Sequence, residues 1–263
     1  MPMIEAGDLR VRYERAGPEG APWVVLSHSL GMDLSMWDEQ VGPLAVSFHV
    51  LRHDTRGHGR TTVTPGPYSL EQLARDVLGL MDGLGLRRAH FCGLSLGGQI
   101  GMWLGAHAPE RIERLVLCNT GARIGTAERW DERIAAVRQG GMASIGSSVP
   151  ERWFSPEFRA SSPGIVENAR AVFEATPPEG YAGCCAAIRD ADLHPGLAAI
   201  RSPTLVIAGS QDPATPPADG RCLAAAIPNA RYHELQASHL SCLEAADGFT
   251  SALAGFLSGQ GDA

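Results

Sequence analysis

Nowhere in its 263 residues does the chain hold a run of about 18 uncharged apolar residues, the length a bilayer-spanning helix requires. Its opening residues carry neither a basic leader nor the apolar stretch of a signal peptide, so no membrane attachment and a cytoplasmic location are expected. Dense Lys/Arg clusters are also missing, and the formal charge is −7. Such a balance repels polyanions and excludes nucleic acid as an expected partner. The six cysteines, at 92, 118, 184, 185, 222 and 242, form no C-x-x-C and no turn-rich framework, so free thiols are expected, with Cys92 and Cys118 as small core residues. There is no H-E-x-x-H and no compact Cys/His/Asp ligand spacing, which removes the reason to expect a metal. No G-x-G-x-x-G follows the first apparent strands, and GHGR at 57–60 lies outside a Walker pattern, so no nucleotide cofactor is expected either.

What remains is an ordinary globular composition, 44% hydrophobic and 19% charged, in a chain long enough for one large core. Residues 9–13, 23–27 and 50–53 have strand character. Residues 69–84 form an expected helix: Leu73, Val77, Leu80, Met81 and Leu84 recur at helical spacing behind Ser69, a suitable N-cap. Strand and helix then alternate at 89–92, 97–108 and 115–119, a βαβ rhythm that predicts a mostly parallel sheet covered on both faces.

The rhythm lapses at 122–193, where three helical stretches (130–140, 157–175 and 180–193) surround Ser-, Pro- and Gly-containing connections. These residues are expected to form a helical cap between two parts of one core, 1–121 and 194–263. Strands at 204–209 and 230–235 and helices at 219–227 and 243–257 complete the expected α/β order.

Gly93-Leu94-Ser95-Leu96-Gly97 falls between an expected strand and an expected helix. A sharp turn there crowds its neighbours, so glycines on both sides suit it, and the serine hydroxyl is presented ahead of a helix N-terminus. Ser95 is therefore the candidate nucleophile. Serine needs a base to take its proton as the bond forms. In sheets that carry such an elbow the acid follows the nucleophile and the histidine comes last, which selects Asp212, just past a strand end, and His239, between the last strand and the last helix. The oxyanion needs pre-aimed donors, for which the backbone amides of Leu96 and Leu30 are the candidates. Gly31 lets the Leu30 loop turn tightly, His28 and Ser29 are expected to shape it, and His58 is placed to orient a neighbouring loop.

With these residues in hand, the chain resembles the 3-oxoadipate enol-lactonases of the α/β-hydrolase superfamily over nearly its whole length. The blocks that carry the likeness are SLGMDLSMW at 29–37, LRHDTRGHG at 51–59, GPYSLEQLARDVLGLMDGLG at 66–85, HFCGLSLGGQIGMWLGAHAPERIERLVLCNT at 90–120 and EGYAGCCAAIRDADL at 179–193. The resemblance implies an α/β-hydrolase fold, the roles of nucleophile, acid and base for Ser95, Asp212 and His239, and a small anionic lactone as substrate, opened to 3-oxoadipate in aromatic-compound catabolism. His28 stands where members of that family often have Asn.

The substrate's free carboxylate needs a local counter-charge in an otherwise apolar cavity. Arg123 and Arg133, at the start of the cap, are the candidates, with Trp130 and Trp153 as walls. A small-ester esterase, or a cofactor-free haloperoxidase or perhydrolase, would use the same triad. A non-catalytic ligand receptor or scaffold would need none of it. The sequence leaves the oligomeric state open.

Overall fold

The computed structural model describes residues 2–259; Met1 and 260–263, at the outer ends of the two expected core segments, lie outside the described residues. One eight-stranded sheet runs through the molecule in the order β1-β2-β4-β3-β5-β6-β7-β8. The strands are β1 (Met3–Ala6), β2 (Leu9–Ala16), β3 (Trp23–Ser27), β4 (His49–His53), β5 (Ala89–Leu94), β6 (Ile112–Cys118), β7 (Thr204–Gly209) and β8 (Arg231–Leu235). From β4 to β8 every pairing is parallel, while β1 and β2 pair antiparallel with each other and β2 antiparallel with β4. β5 and β7 are buried at every residue, as a parallel strand covered on both faces must be.

Helices α1 (Asp38–Leu44), α2 (Leu70–Gly83), α3 (Leu96–His107), α10 (Pro217–Ala226), α11 (Ser241–Glu244) and α12 (Ala246–Leu257) flank the sheet. α2 packs on α3, and α1 packs on α12. The expected stripe on α2 is buried at Leu73, Val77, Leu80 and Met81, with Ser69 Oγ accepting the Gln72 amide at 3.1 Å. This is the expected α/β-hydrolase order of elements.

Between β6 and β7 lie six α-helices, α4 (Ala127–Gly140), α5 (Ala143–Gly146), α6 (Val149–Trp153), α7 (Pro156–Ser161), α8 (Pro163–Ala175) and α9 (Pro178–Asp190), followed by a 3-10 turn at His194–Ala199. Leu193 N–H donates to the Ala122 carbonyl at 3.0 Å, so the segment leaves and rejoins the rest of the chain through one hydrogen-bonded neck.

Several elements differ in detail from the sequence expectation. β1 and α1 were not anticipated: β1 is a short edge strand without a clear alternation, and α1 carries Pro43 inside its last turn. The stretch 157–175 is two helices rather than one, because Ser162 precedes Pro163 and a proline disfavours helical backbone in the residue before it; Ser162 sits at φ −131°, ψ 50°. The closing helix likewise breaks, at Ala245, into α11 and α12. All six cysteines are free thiols, five of them buried and Cys222 exposed.

Candidate active site

Ser95 sits in the turn from β5 into α3 with φ 58° and ψ −111°, a left-handed conformation that a side-chain-bearing residue adopts only when its surroundings enforce it. The surroundings are specific. Its N–H donates to the Cys118 carbonyl at 2.9 Å, and its carbonyl accepts from the Gln99 N–H at 3.0 Å and the Thr120 hydroxyl at 2.8 Å. A β-carbon at Gly97 would lie 2.2 Å from the Ser27 carbonyl oxygen, so α3 can approach β3 this closely only with glycine there.

Asp212 follows the end of β7 and is almost fully buried. Its Oδ1 accepts the amides of Ala214 and Thr215, at 2.8 and 3.1 Å, in a turn that closes on its own side chain. Its Oδ2 accepts from His239 Nδ1–H at 2.8 Å, Asn119 Nδ2 at 3.0 Å and the Thr215 hydroxyl at 2.7 Å. Burial opposes ionisation here, but the His239 ring and these donors outweigh it and hold the carboxyl at a pKa of about 2. His239 lies in the loop between β8 and α11. With Nδ1–H given to Asp212, its Nε2 is the ring atom left to accept a proton, the arrangement that serine activation requires.

The His239 loop is anchored on both sides to the helical segment. Leu240 N–H donates to the Trp153 carbonyl at 3.1 Å, while the Glu244 carboxylate accepts the Ser238 amide at 3.0 Å and the Ser155 amide at 3.2 Å. On the far side of the site, the loop after β3 is pinned by two buried histidines. His28 Nε2 accepts the Thr55 amide at 2.9 Å and His58 Nε2 accepts the Gly31 amide at 3.0 Å. Their Nδ1–H groups are then directed to the carbonyls of Ser29, at 2.7 Å, and Arg56, at 3.2 Å. Burial holds His28 below its usual range and pushes His58 down to about 3, and each ring is neutral because its Nε2 accepts an amide. Gly31 has φ +77°, and a β-carbon there would meet the Phe173 ring at 2.5 Å.

Ser95, His239, Ser29 and Leu30 open onto a cavity of about 490 Å³ whose remaining walls come mostly from the segment between β6 and β7. Leu96 starts α3 directly behind Ser95. Trp130 and Trp153 both line the cavity and are nearly buried; the Trp130 indole N–H donates to the Ile124 carbonyl at 2.6 Å, and Trp153 packs edge-on against Phe173. Arg133 also lines it, donating to the Tyr181 hydroxyl at 3.1 Å and lying 5.5 Å from the Trp130 ring centre. Arg123 is not brought to the cavity. Its side chain is 56% exposed and faces Asp192 at 3.8 Å, while the next two residues, Ile124 and Gly125, line the cavity in its place.

Sequence reasoning missed Arg129 and Arg152 on the cavity wall, Asn119 beside Asp212, and Glu244 beside the His239 loop. Asn119 had a usable signal: a polar residue just past the end of β6, held at φ 43°. Among the described residues no three His, Cys, Asp or Glu side chains group to hold a metal ion, and no helix is long and apolar enough to cross a membrane.

Comparison with known proteins agrees with this architecture. Residues 22–246 match the family described as alpha/beta hydrolase fold. The 3-oxoadipate enol-lactonase 2 of Acinetobacter baylyi is 41% identical over 95% of this chain and 94% of its own length. The enol-lactonase of Burkholderia xenovorans LB400 superposes with a TM-score of 0.97 at 49% identity, covering 98% of this chain and all of that one. A thermophilic esterase from Thermogutta terrifontis superposes at 0.93 with 28% identity, over 98% of both chains. The chain belongs to the α/β-hydrolase family and, within it, stands with the 3-oxoadipate enol-lactonases.

Proposed function

We propose that this protein is a carboxylic-ester hydrolase that opens 3-oxoadipate enol-lactone to 3-oxoadipate through an acyl-enzyme, a step in aromatic-compound catabolism through β-ketoadipate. The observation that carries this reading is 41–49% identity to enol-lactonases over nearly the full length of a chain in which Ser95 and an Asp212-bound His239 share one cavity. The substrate is a small anionic lactone, and the cavity has ample volume for it.

In this reading Ser95 is the nucleophile, His239 the base and Asp212 the acid partner that fixes the imidazole tautomer. His239 Nε2 takes the Ser95 proton as the oxygen attacks the lactone carbonyl. The tetrahedral oxyanion is received by the amides of Leu30 and Leu96. Two facts support that pair: the Gly31 and Met32 amides beside Leu30 are engaged, with His58 and with the Ser29 carbonyl, and Leu96 opens α3, where the first amides have no acceptor within the helix. Collapse of the adduct breaks the ring C–O bond and expels an enolate oxygen, which leaves more readily than an alkoxide, takes the proton held on His239 Nε2 and stays tethered through the acyl chain as an enol, so His239 is again a neutral base. Water activated by His239 then releases the acid, and the enol relaxes to its ketone. The chemistry needs neither a redox equivalent nor a metal. Residues 122–193 serve as the cap, with Trp130, Trp153 and Arg133 as substrate-facing walls. A chain with six free thiols suits a reducing compartment, and the cytoplasm is assigned on that basis.

The test is turnover of freshly generated 3-oxoadipate enol-lactone, followed as lactone loss and acid formation. Ser95→Ala is expected to lose about 10⁴-fold or more in kcat while keeping its fold. Turnover retained by that variant would reject the covalent route, and wild-type turnover no faster than on simple aryl esters would reject the substrate.

A further inference from the structure

Every one of the 22 basic residues in this chain is an arginine. Those withdrawn from solvent are generally matched with carboxylates, as Arg12 is with Asp54, Arg52 with Glu14, Arg56 with Asp76 and Arg189 with Asp131. Two half-buried arginines at the cavity, Arg133 and Arg152, face no carboxylate among the described residues; Arg133 is held by the Tyr181 hydroxyl and the Trp130 ring, whereas the Arg152 side chain is held by neither a hydrogen bond nor a ring among them. A guanidinium drawn partly out of water without a counter-charge keeps its donors available, and their fork matches the two oxygens of a carboxylate.

The neighbouring candidates are occupied or solvated. Arg133 already donates to the Tyr181 hydroxyl and covers the Trp130 ring, and Arg129 is exposed at the rim. Three arginines face one glutamate, Glu132, around the cavity, so the local charge favours an anion even though the whole chain carries −7. The position of Arg152 along the chain is equally telling. It lies in α6 one residue before Trp153, whose carbonyl receives the Leu240 amide, and three before Ser155, whose amide shares the Glu244 carboxylate with Ser238. A backbone bond on one side of His239 and the Glu244 carboxylate bridge on the other thus fix where α6 stands relative to the reacting centre.

We propose that Arg152 binds the remote carboxylate of the substrate and so selects an anionic lactone over a neutral one. The inference rests on the proposed reaction for the identity of its ligand. It is tested with two substrates: the carboxymethyl enol-lactone, and the five-membered enol-lactone bearing a methyl group in place of that arm. Arg152→Gln should lower kcat/KM for the anionic lactone by about 50-fold, with a loss on the neutral lactone at least about tenfold smaller. Arg152→Lys should fall between wild type and Arg152→Gln, since the charge stays and the fork is lost. Equal losses on both lactones, no loss on either, or the same selective loss from Arg129→Gln in place of Arg152→Gln would each overturn the proposal. Titration with 3-oxoadipate in a calorimeter separates this inference from the reaction it rests on. If wild type turned over neither lactone, the proposed reaction would fall. Arg152 would still stand if Arg152→Gln weakened 3-oxoadipate binding about tenfold or more, and would fall with unchanged binding.

Discussion

Ser95 and Trp153 face the same cavity, yet the direction of the first side chain is set by hydrogen bonds to its own peptide groups and that of the second by the rings packed against it. At the carboxyl edge of the sheet, Ser95 is held by three hydrogen bonds to its own peptide groups, and Asp212 by five donors to its carboxylate. In the helical segment, Trp153 leans on Phe173, which leans in turn on Tyr181, and all three rings are buried. The edge has one arrangement available to it. The helices present a wall whose shape follows from which side chains fill it, and single replacements there redraw the cavity without moving a strand. On the proposed reading the two regions divide the labour, with chemistry where the backbone cannot yield and selection where side chains can be exchanged.

That contrast can be broken at the edge first. Asp212→Asn keeps the shape of the turn but withdraws the charge that orients His239, and kcat on the enol-lactone should fall about 10⁴-fold. The same variant has a signature in stability. Because Asp212 titrates near 2 when folded and near 4 when unfolded, its charge contributes stability that is complete above about pH 4 and is lost as pH falls toward 2. Acid-unfolding midpoints measured over that window should therefore shift less with pH in Asp212→Asn than in wild type. A variant with the wild-type acid limb would show that the pairing described here does not exist in solution.

The junction of the two regions gives a smaller effect. Glu244→Ala removes the carboxylate that joins the Ser238 and Ser155 amides, and kcat should fall about tenfold with little change in KM, since two buried amides lose their acceptor. Glu244→Gln retains a carbonyl oxygen and should recover most of that loss; a Gln variant no better than Ala would mean that Glu244 does not act through those amides. In the helical segment, Arg123→Ala should change kcat/KM by less than about twofold, because its side chain is solvated beside Asp192. A large loss there would return Arg123 to the cavity and erase the distinction drawn above.

The same division explains what could be read from residues alone. The elbow at Ser95 is legible because strand, turn and helix are contiguous in sequence and two glycines mark the crowding. Asp212 and His239 follow from chain order, each sitting just after a strand whose apolar run is plain. Glu244 is invisible for the opposite reason: an acidic residue near the start of a closing helix looks like any solvated one, and only the folded chain brings two distant amides to it. Arg123 was expected at the cavity and Arg152 was not, since both lie in charged, weakly patterned stretches where a shift of one residue turns a side chain from wall to water. Ser162 before Pro163 did carry a local signal for the break between α7 and α8, which the apolar content of the surrounding stretch masked.

The bond from Leu193 to Ala122 has a consequence for how such proteins diversify. An excursion that begins and ends at a single hydrogen bond imposes no register on the strands on either side, so its length can change by insertion or deletion as long as Trp153 and Ser155 keep their bonds to the His239 loop. Ala122 and Leu193 are therefore a natural pair of splice points for new helical segments on this scaffold, provided each insert supplies an acceptor for the Leu240 amide and a donor for the Glu244 carboxylate.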